Sequence, residues 1–437
     1  MSSLTSQNRA ILLLALAAFV SASAFRICDP MLPQLAAEFD TSTGQAGATV
    51  TAFAIAYGLL QMFFGPMGDR YGKFRVVCFA TIACAIGSMG AAFAPSLEVL
   101  IVCRALSGAA GAGIVPLSMA WIGDNVSYEE RQATLARFLT GTILGMSMGQ
   151  LTGGLITDTV GWRWAFVLLV VGYVIVGGLL LREVTQQSRS SEGSSRSPMI
   201  SPAASHPVPD SGWRTTSASM SATQTAAAGI TSRPATPHGF VVQVRTVFGV
   251  PWARVVLLTV FLEGLLVFGS LAFAPAYLHN RFGLSLTAAG AVVAVYALGG
   301  LLYTLVAGRM LRWLGERGLA ISGGFVLCLA FLAYWGGPAW GWSIVASVLA
   351  GFGYYLLHAT LQTNATQMVP SARGTAVAWF ASCLFLGQAV GVALAGVFVD
   401  VVGAAVLFGS SAVLLPLLGL SFAWALKRRA ISVRQQQ

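Results

Sequence analysis

Residues 65–77 read GPMGDRYGKFRVV. Three glycines and four charged side chains (Asp69, Arg70, Lys73, Arg75) fall within eleven residues of a chain whose residues are only 9% charged. Apolar stretches flank the segment on both sides, at 46–67 and 75–94. Each is long enough to cross a bilayer, which takes about 20 mostly apolar residues. A short charged turn between two such stretches reads as a membrane hairpin, with the glycines permitting the tight reversal. Asp69 can cap a neighbouring helix N-terminus or pair with an arginine, and so latch one conformation.

The rest of the chain repeats this grammar. It is 437 residues long, 56% hydrophobic, with a mean hydropathy of +0.75. That balance excludes an ordinary soluble domain. Twelve stretches can span, at about 10–34, 46–67, 75–94, 97–121, 133–157, 163–182, 254–278, 287–308, 318–336, 340–362, 374–399 and 403–426. The run ILLLALAAFV (11–20) is not followed by a cleavage-type site and reads as a retained first span. The six cysteines all fall inside spans with no zinc or disulfide spacing, and read as small apolar fillers.

The net charge of +10 is a topology signal rather than a nucleic-acid footprint. With the N-terminus in the cytoplasm, the outer loops hold only Arg163 and Arg281, and twenty of the 25 basic residues lie on the cytoplasmic side. That is the positive-inside bias, with both termini cytoplasmic and contact with anionic lipid as a second consequence. Only Lys73 and Lys427 are lysines, a skew towards arginine that suggests a GC-rich bacterium and hence the cell inner (cytoplasmic) membrane.

Residues 185–240 hold 13 Ser and 6 Pro without apolar periodicity. A disordered cytoplasmic linker is expected over 183–250, between six-helix bundles at 1–182 and 251–427, with a tail at 428–437. The halves align on each other. Gly145, Gly149, Gly154, Asp158 and Gly161 lie 242 residues before Gly387, Gly391, Gly396, Asp400 and Gly403, and Pro33 lies 242 before Pro275. Two parallel repeats place a pseudo-two-fold axis along the membrane normal and a substrate site at the midplane. The expected fold is therefore an all-α membrane protein of twelve helices in two pseudo-symmetric bundles.

With Gly65, Gly68, Asp69, Arg70, Gly72, Lys73 and Arg75 in place, the 65–77 segment resembles the G-x-x-x-D-R-x-G-[RK]-[RK] signature of the major facilitator superfamily; Phe74 stands where a second base is usual. The second-half copy, GRMLRWLGERG (308–318), has Arg312 where Asp69 stands, so the latch acid is present only once. RALSGAAGAGIVP (104–116) resembles the family's fourth-span motif, with Ser107 for the usual Gln. GMSMGQLTGG (145–154) resembles its fifth-span antiporter motif, with Gln150 for the usual Pro. The resemblance covers nearly all of the chain outside the linker and tails, and looks closest to the drug:proton antiporter and sugar-efflux branch. It implies a proton-coupled secondary transporter working by alternating access. Export of a drug or a secreted, siderophore-like metabolite is favoured over symport of a nutrient, and a transport-dead sensor ranks last. It also implies a role in proton transfer for Arg104, which as a buried cation is expected to have an anionic partner.

Candidate site residues follow from polarity inside spans. Asp29 sits three residues after Arg26, on one helical face. Burial disfavours a carboxylate and an adjacent guanidinium favours it, an opposition used in transporter proton relays. Glu263 is expected near the cytoplasmic end of span 7. His358 shares a stripe with Tyr354 and Gln362 in span 10. Tyr57, Gln61, Gln150 and Gln388 add polar points for a substrate cavity, and Tyr296, Tyr303 and Trp379 face either the cavity or lipid. Gly141, Gly145, Gly149 and Gly153, with Gly154, form a small-residue face on span 5, read as a tight seal or pivot between halves. No P-loop, metal cluster or nucleophile–base pair appears in the sequence. The expected energy source is the proton gradient without a cofactor, and the expected partners are a small-molecule substrate and lipid, with no nucleic acid and a monomeric chain.

Overall fold

The computed structural model describes residues 2–195 and 237–436. Among them, ten helical stretches are long and apolar enough to span a membrane. One of the ten, Leu286–Gly336, is 51 residues long and breaks at Gly315, whose φ of 62° is not helical; it holds spans 8 and 9. The expected fifth span is the helix Tyr128–Thr159, which is not among the ten. Its middle carries Thr140, Thr142, Gln150 and Thr152 between glycines, so it is polar for a spanning helix. The break at Gly315 and this helix together account for the twelve expected segments. The other spans are Gln7–Glu38 (span 1), Thr43–Tyr71 (2), Lys73–Ala92 (3), Leu97–Asn125 (4), Trp162–Gln186 (6), Pro251–Phe282 (7), Gly341–Gln367 (10), Pro370–Val401 (11) and Ala404–Ile431 (12).

Large apolar side chains such as Phe79, Ile86, Leu106, Val174 and Leu305 are exposed on the outside of the bundle. Only hydrocarbon makes such a surface favourable, since water would drive these side chains inward. The chain is a multi-pass membrane protein.

The expected linker is bracketed by helix. Span 6 continues as helix to Ser195, and a further helix covers Pro237–Gly249. That second helix docks on the start of span 11: Phe248 meets Trp379 edge to face at 4.8 Å, and Thr375 Oγ1 donates to Gln243 Oε1. The disorder expected between these helices lies outside the described residues.

Spans 1, 4 and 7 are interrupted well inside their length. Span 1 is helical to Arg26, turns at residues 27–28, makes a single 3-10 turn over Asp29–Met31 and resumes at Leu32. Pro30 causes this, because it lacks an N–H and its ring collides with the carbonyl four residues back. Span 7 passes from α-helix (Pro251–Glu263) into a π turn (Gly264–Phe268) and restarts at Ala274, ahead of Pro275. Span 4 breaks between Gly111 and Ile114. Irregular backbone at membrane depth is tolerated where it is enclosed by protein or lines a cavity. The breaks in spans 1 and 7 flank the polar centre described below.

The halves meet along span 2 against span 11 and span 5 against span 8. At the end away from the chain termini they share one core, in which Phe273, Val392 and Ala395 join residues of the first half. Midway, Tyr57 and Phe25 pack on Phe385 at 4.5 and 5.3 Å between ring centres. Span 5 packs against span 8 along residues 286–294 and leaves most of the rest of that span, which runs towards the termini, out of contact. The bundle is closed at the end opposite its termini and opens towards them.

Candidate functional site

The break in span 1 leaves Asp29 fully buried with Arg26 folded back onto it. Arg26 Nη1 donates to Asp29 Oδ2 at 3.1 Å, and Gln150 Nε2 of span 5 donates to the same oxygen at 2.9 Å. The other carboxylate oxygen, Oδ1, is buried with no hydrogen-bond partner among the described residues. The guanidinium of Arg26 also lies 4.6 Å from the ring centre of Phe268, in the π turn of span 7. One cation thus touches a carboxylate of the first half and an aromatic face of the second. A cavity of about 30 Å³, room for one water, lies beside them, lined by Arg26, Ser147, Gln150, Phe268 and Tyr296.

Phe268 continues the path into the second half. It packs on Tyr354 at 4.9 Å, and Tyr354 stacks on His358 at 4.7 Å with 18° between the rings. His358 Nδ1 lies 2.8 Å from Glu263 Oε2, while Glu263 Oε1 is buried with no partner among the described residues. The sequence placed Glu263 near the cytoplasmic end of span 7. Its exposure is zero, because the π turn that begins at Gly264 packs against span 11, where a Cβ on Gly264 would strike the Leu384 carbonyl. The span 10 stripe holds for Tyr354 and His358 and fails at Gln362, which is exposed.

Other expectations change in the packed structure. Arg104 is fully buried but takes no carboxylate among the described residues. Its Nη1 donates to the Ala24 carbonyl at 3.0 Å and its Nε to Thr49 at 3.4 Å, and it lies 4.2 Å over Phe53. Ala24 sits in the last turn of a helix that ends at Arg26, where carbonyls lose their intrahelical donors. The break that buries Asp29 therefore also supplies the acceptor for Arg104. Arg104→Lys cannot bridge two carbonyls with a planar fork. We expect it to destabilise the protein by about 1–3 kcal/mol, read as a lower thermal midpoint in detergent; an unchanged midpoint would show that the bridge is dispensable.

The span 5 glycines face a different neighbour from the one expected. Cβ atoms at Gly145, Gly149 and Gly153 would run into the carbonyls of Phe19, Ser23 and Ile27, so this face grips span 1 of its own half, and Gly141 faces open space. It is Gly154, against the carbonyl of Leu286, that meets the other half. Helices carry small residues on more than one side, and periodicity does not say which side meets which partner.

In the 65–77 turn, Gly72 has φ of 90° and Gly68 lies against Leu117, while Gly65 has no neighbour that demands a glycine. Asp69 pairs at 3.6 Å with Lys73, Lys73 also binds Asp124, and Arg70 stacks on Tyr71. The partners of Asp69 and Lys73 lie in their own half. Tyr57 belongs to the aromatic contact with Phe385, whereas Gln61 Oε1 and Gln388 Nε2 are buried with no partner among the described residues. Sequence reasoning missed Phe268, which links the two polar groups. Its only signal was position, just before the Pro275 break.

The arrangement resembles known transporters. The chain is 28% identical to the multidrug export protein EmrB of Haemophilus influenzae over 166 residues, 38% of this chain and 32% of that protein. It is 28% identical to the efflux pump radE of Floropilus chiversii over 158 residues, 35% of this chain and 29% of that one. The chain thus spans about a third of the length of these relatives. An MFS-type transporter of Bacillus subtilis, YceJ, aligns at 22% identity over 85% of this chain and 84% of its own. In fold, the nucleoside transporter NupG superposes with a TM-score of 0.68 at 13% identity, over 97% of this chain and 99% of the other, and a peptide transporter POT crystallised with sulfate gives 0.68 at 15%, over 96% and 94%. The sequence pattern of the Major Facilitator Superfamily matches residues 14–381. The paired bundles, the broken spans around a buried polar centre and this match together make the chain a transporter of the major facilitator superfamily, and not an enzyme.

Proposed function

We propose that this transporter exports a small organic compound from the cytoplasm in exchange for protons, across a bacterial inner membrane, with both termini cytoplasmic. The observation that carries the reading is the buried Asp29, which has one oxygen held by Arg26 and Gln150 and the other with no partner among the described residues, beside a water-sized cavity. Such a carboxyl changes its charge only when water reaches it, so its protonation follows which side of the bundle is open. Glu263 with His358 is a second titratable pair on the same path. In this orientation the conformation is open to the cytoplasm. Export is favoured by the relatives named for efflux and multidrug export. The span 5 glycines no longer bear on direction, since they hold span 1.

The test compares small molecules in cells and medium with the protein absent, overproduced, and overproduced as Asp29→Asn. A compound retained in cells that lack the protein, and depleted from cells that overproduce it, supports export. A compound that stays outside without the protein reverses the direction to nutrient import. Movement of no compound in either sense favours a sensor. Removing residues 196–236 is expected to leave transport rates within about twofold, because the Ser- and Pro-rich composition there offers no apolar periodicity to build into either bundle; loss of transport would give the segment a direct role.

A further inference from the structure

The repeat positions Asp158 and Asp400 have no role in the polar centre, yet their geometry matches on the two sides of the molecule. Each is the second-to-last residue of its helix, in span 5 and span 11. A carboxylate there faces the negative end of its own helix dipole and is locally unfavourable. Each is offset by the N-terminus of a helix in the other half. Asp158 Oδ1 accepts from Leu286 N at 3.2 Å and Oδ2 accepts from Thr287 N and Oγ1, both at 2.6 Å. Asp400 Oδ1 accepts from Gly44 N at 3.0 Å and Oδ2 accepts from Ser42 Oγ at 2.6 Å.

The two caps divide the free N–H groups in the same way. Ser285, which precedes span 8, takes the N–H of Ala288, and Ser42, which precedes span 2, takes that of Gln45. The second N–H of each helix is then taken in trans by the aspartate of the opposite half. One turn before each aspartate stands a glycine. A Cβ on Gly154 would strike the Leu286 carbonyl, and one on Gly396 would strike the backbone of Gly44. Three residues after each aspartate the chain turns at a glycine with positive φ, 95° at Gly161 and 89° at Gly403. The pattern G-x-x-x-D-x-x-G thus ends span 5 in one half and span 11 in the other; it also occurs at 65–72, where Asp69 pairs with Lys73 of its own half instead. In spans 5 and 11 the first glycine admits the opposing backbone, the aspartate grips it, and the last glycine ends the helix.

We propose that Asp158 and Asp400 form a reciprocal latch that holds the bundle closed at the end away from its termini, the outer side in the orientation above, and that both grips release when that side opens. Each grip joins the two halves and exists only while they are together, and water takes the place of the exposed carboxylates once the halves part, so each grip favours the closed state. This differs from the Asp69 turn, which lies at the other end and pairs within its own half.

The test uses spin labels on the full chain with native cysteines replaced by alanine. Val160 and Val402 are exposed at the closed ends of spans 5 and 11, and Leu139 and Leu305 are exposed towards the open ends of spans 5 and 8. In Asp158→Ala/Asp400→Ala, the population with a longer Val160–Val402 distance is expected to rise by roughly tenfold, as the loss of two caps implies, while the Leu139–Leu305 distance shortens. Asp158→Asn/Asp400→Asn keeps an acceptor at each site and is expected to fall between the parent and the alanine pair. Distances in the alanine pair equal to the parent's overturn the latch. A lengthening or broadening of both distances also overturns it, since that reports loosened packing rather than exchange of one opening for the other.

Discussion

Asp29→Asn is expected to abolish uphill transport driven by a pH gradient while leaving downhill exchange of substrate in place. The asparagine keeps the size and the hydrogen bond with Gln150 but can neither take nor release a proton. In vesicles, accumulation against a gradient should fall by about tenfold or more, as for loss of an essential proton-transfer group. Retained pH-driven accumulation would remove Asp29 from the coupling step. A structural role makes a competing prediction that must be separated. Breaking a buried pair leaves Arg26 as an uncompensated charge, at a cost of about 3–5 kcal/mol. The double variant Arg26→Gln/Asp29→Asn has no buried charge at this position and should recover the thermal midpoint of the parent. If it also recovers uphill transport, the ion pair is structural and coupling lies elsewhere, with Glu263 and His358 the next candidates.

Two alanine substitutions in one glycine stripe should have opposite signs. Helix propensity alone favours Ala over Gly by about 1 kcal/mol at either position. At Gly141 there is open space, so Gly141→Ala should stabilise slightly or be neutral. At Gly149 the new Cβ meets the Ser23 carbonyl oxygen, with the Ser23 carbonyl carbon and Cα just behind it. Backbone atoms cannot rotate away as a side-chain tip can, so spans 1 and 5 must separate. Overpacking of this kind costs about 1–3 kcal/mol, sometimes more. The separation would also stretch the bond from Gln150 to Asp29, one residue away. A clear drop in midpoint for Gly149→Ala, with none for Gly141→Ala, is the expected result. Equal midpoints would mean that the span 1–span 5 contact is looser than its geometry.

Much of the candidate site was legible because charge inside a membrane span is costly and few residues carry it. Asp29, Arg26, Arg104 and Glu263 stood out for that reason, and their neighbours at i+3 or i+4 followed from helical spacing. The Arg26–Asp29 pair was found this way even though Pro30 breaks the helix between them, because the turn keeps the two side chains on one side. Spacing along a helix carries no information across helices. Gln150 against Asp29, His358 against Glu263 and Phe268 against Arg26 are contacts between residues 95 to 242 positions apart. Arg104 shows the same limit from another side. Its acceptors are backbone carbonyls, and every residue has one.

Hydropathy and the 242-residue repeat were enough to determine a multi-span bundle in two related halves, because apolar length and register are local properties that each stretch shows by itself. Which face of each helix meets which neighbour was decided only by tertiary packing. The span 5 glycines turned out to hold span 1, and the pair Asp158 and Asp400, seen in sequence as repeat markers, turned out to grip the opposite half. In lipid the hydrophobic effect that would orient a soluble helix is absent, so close backbone approach and satisfied polar groups choose among the faces. Those choices exist only once all the helices are together.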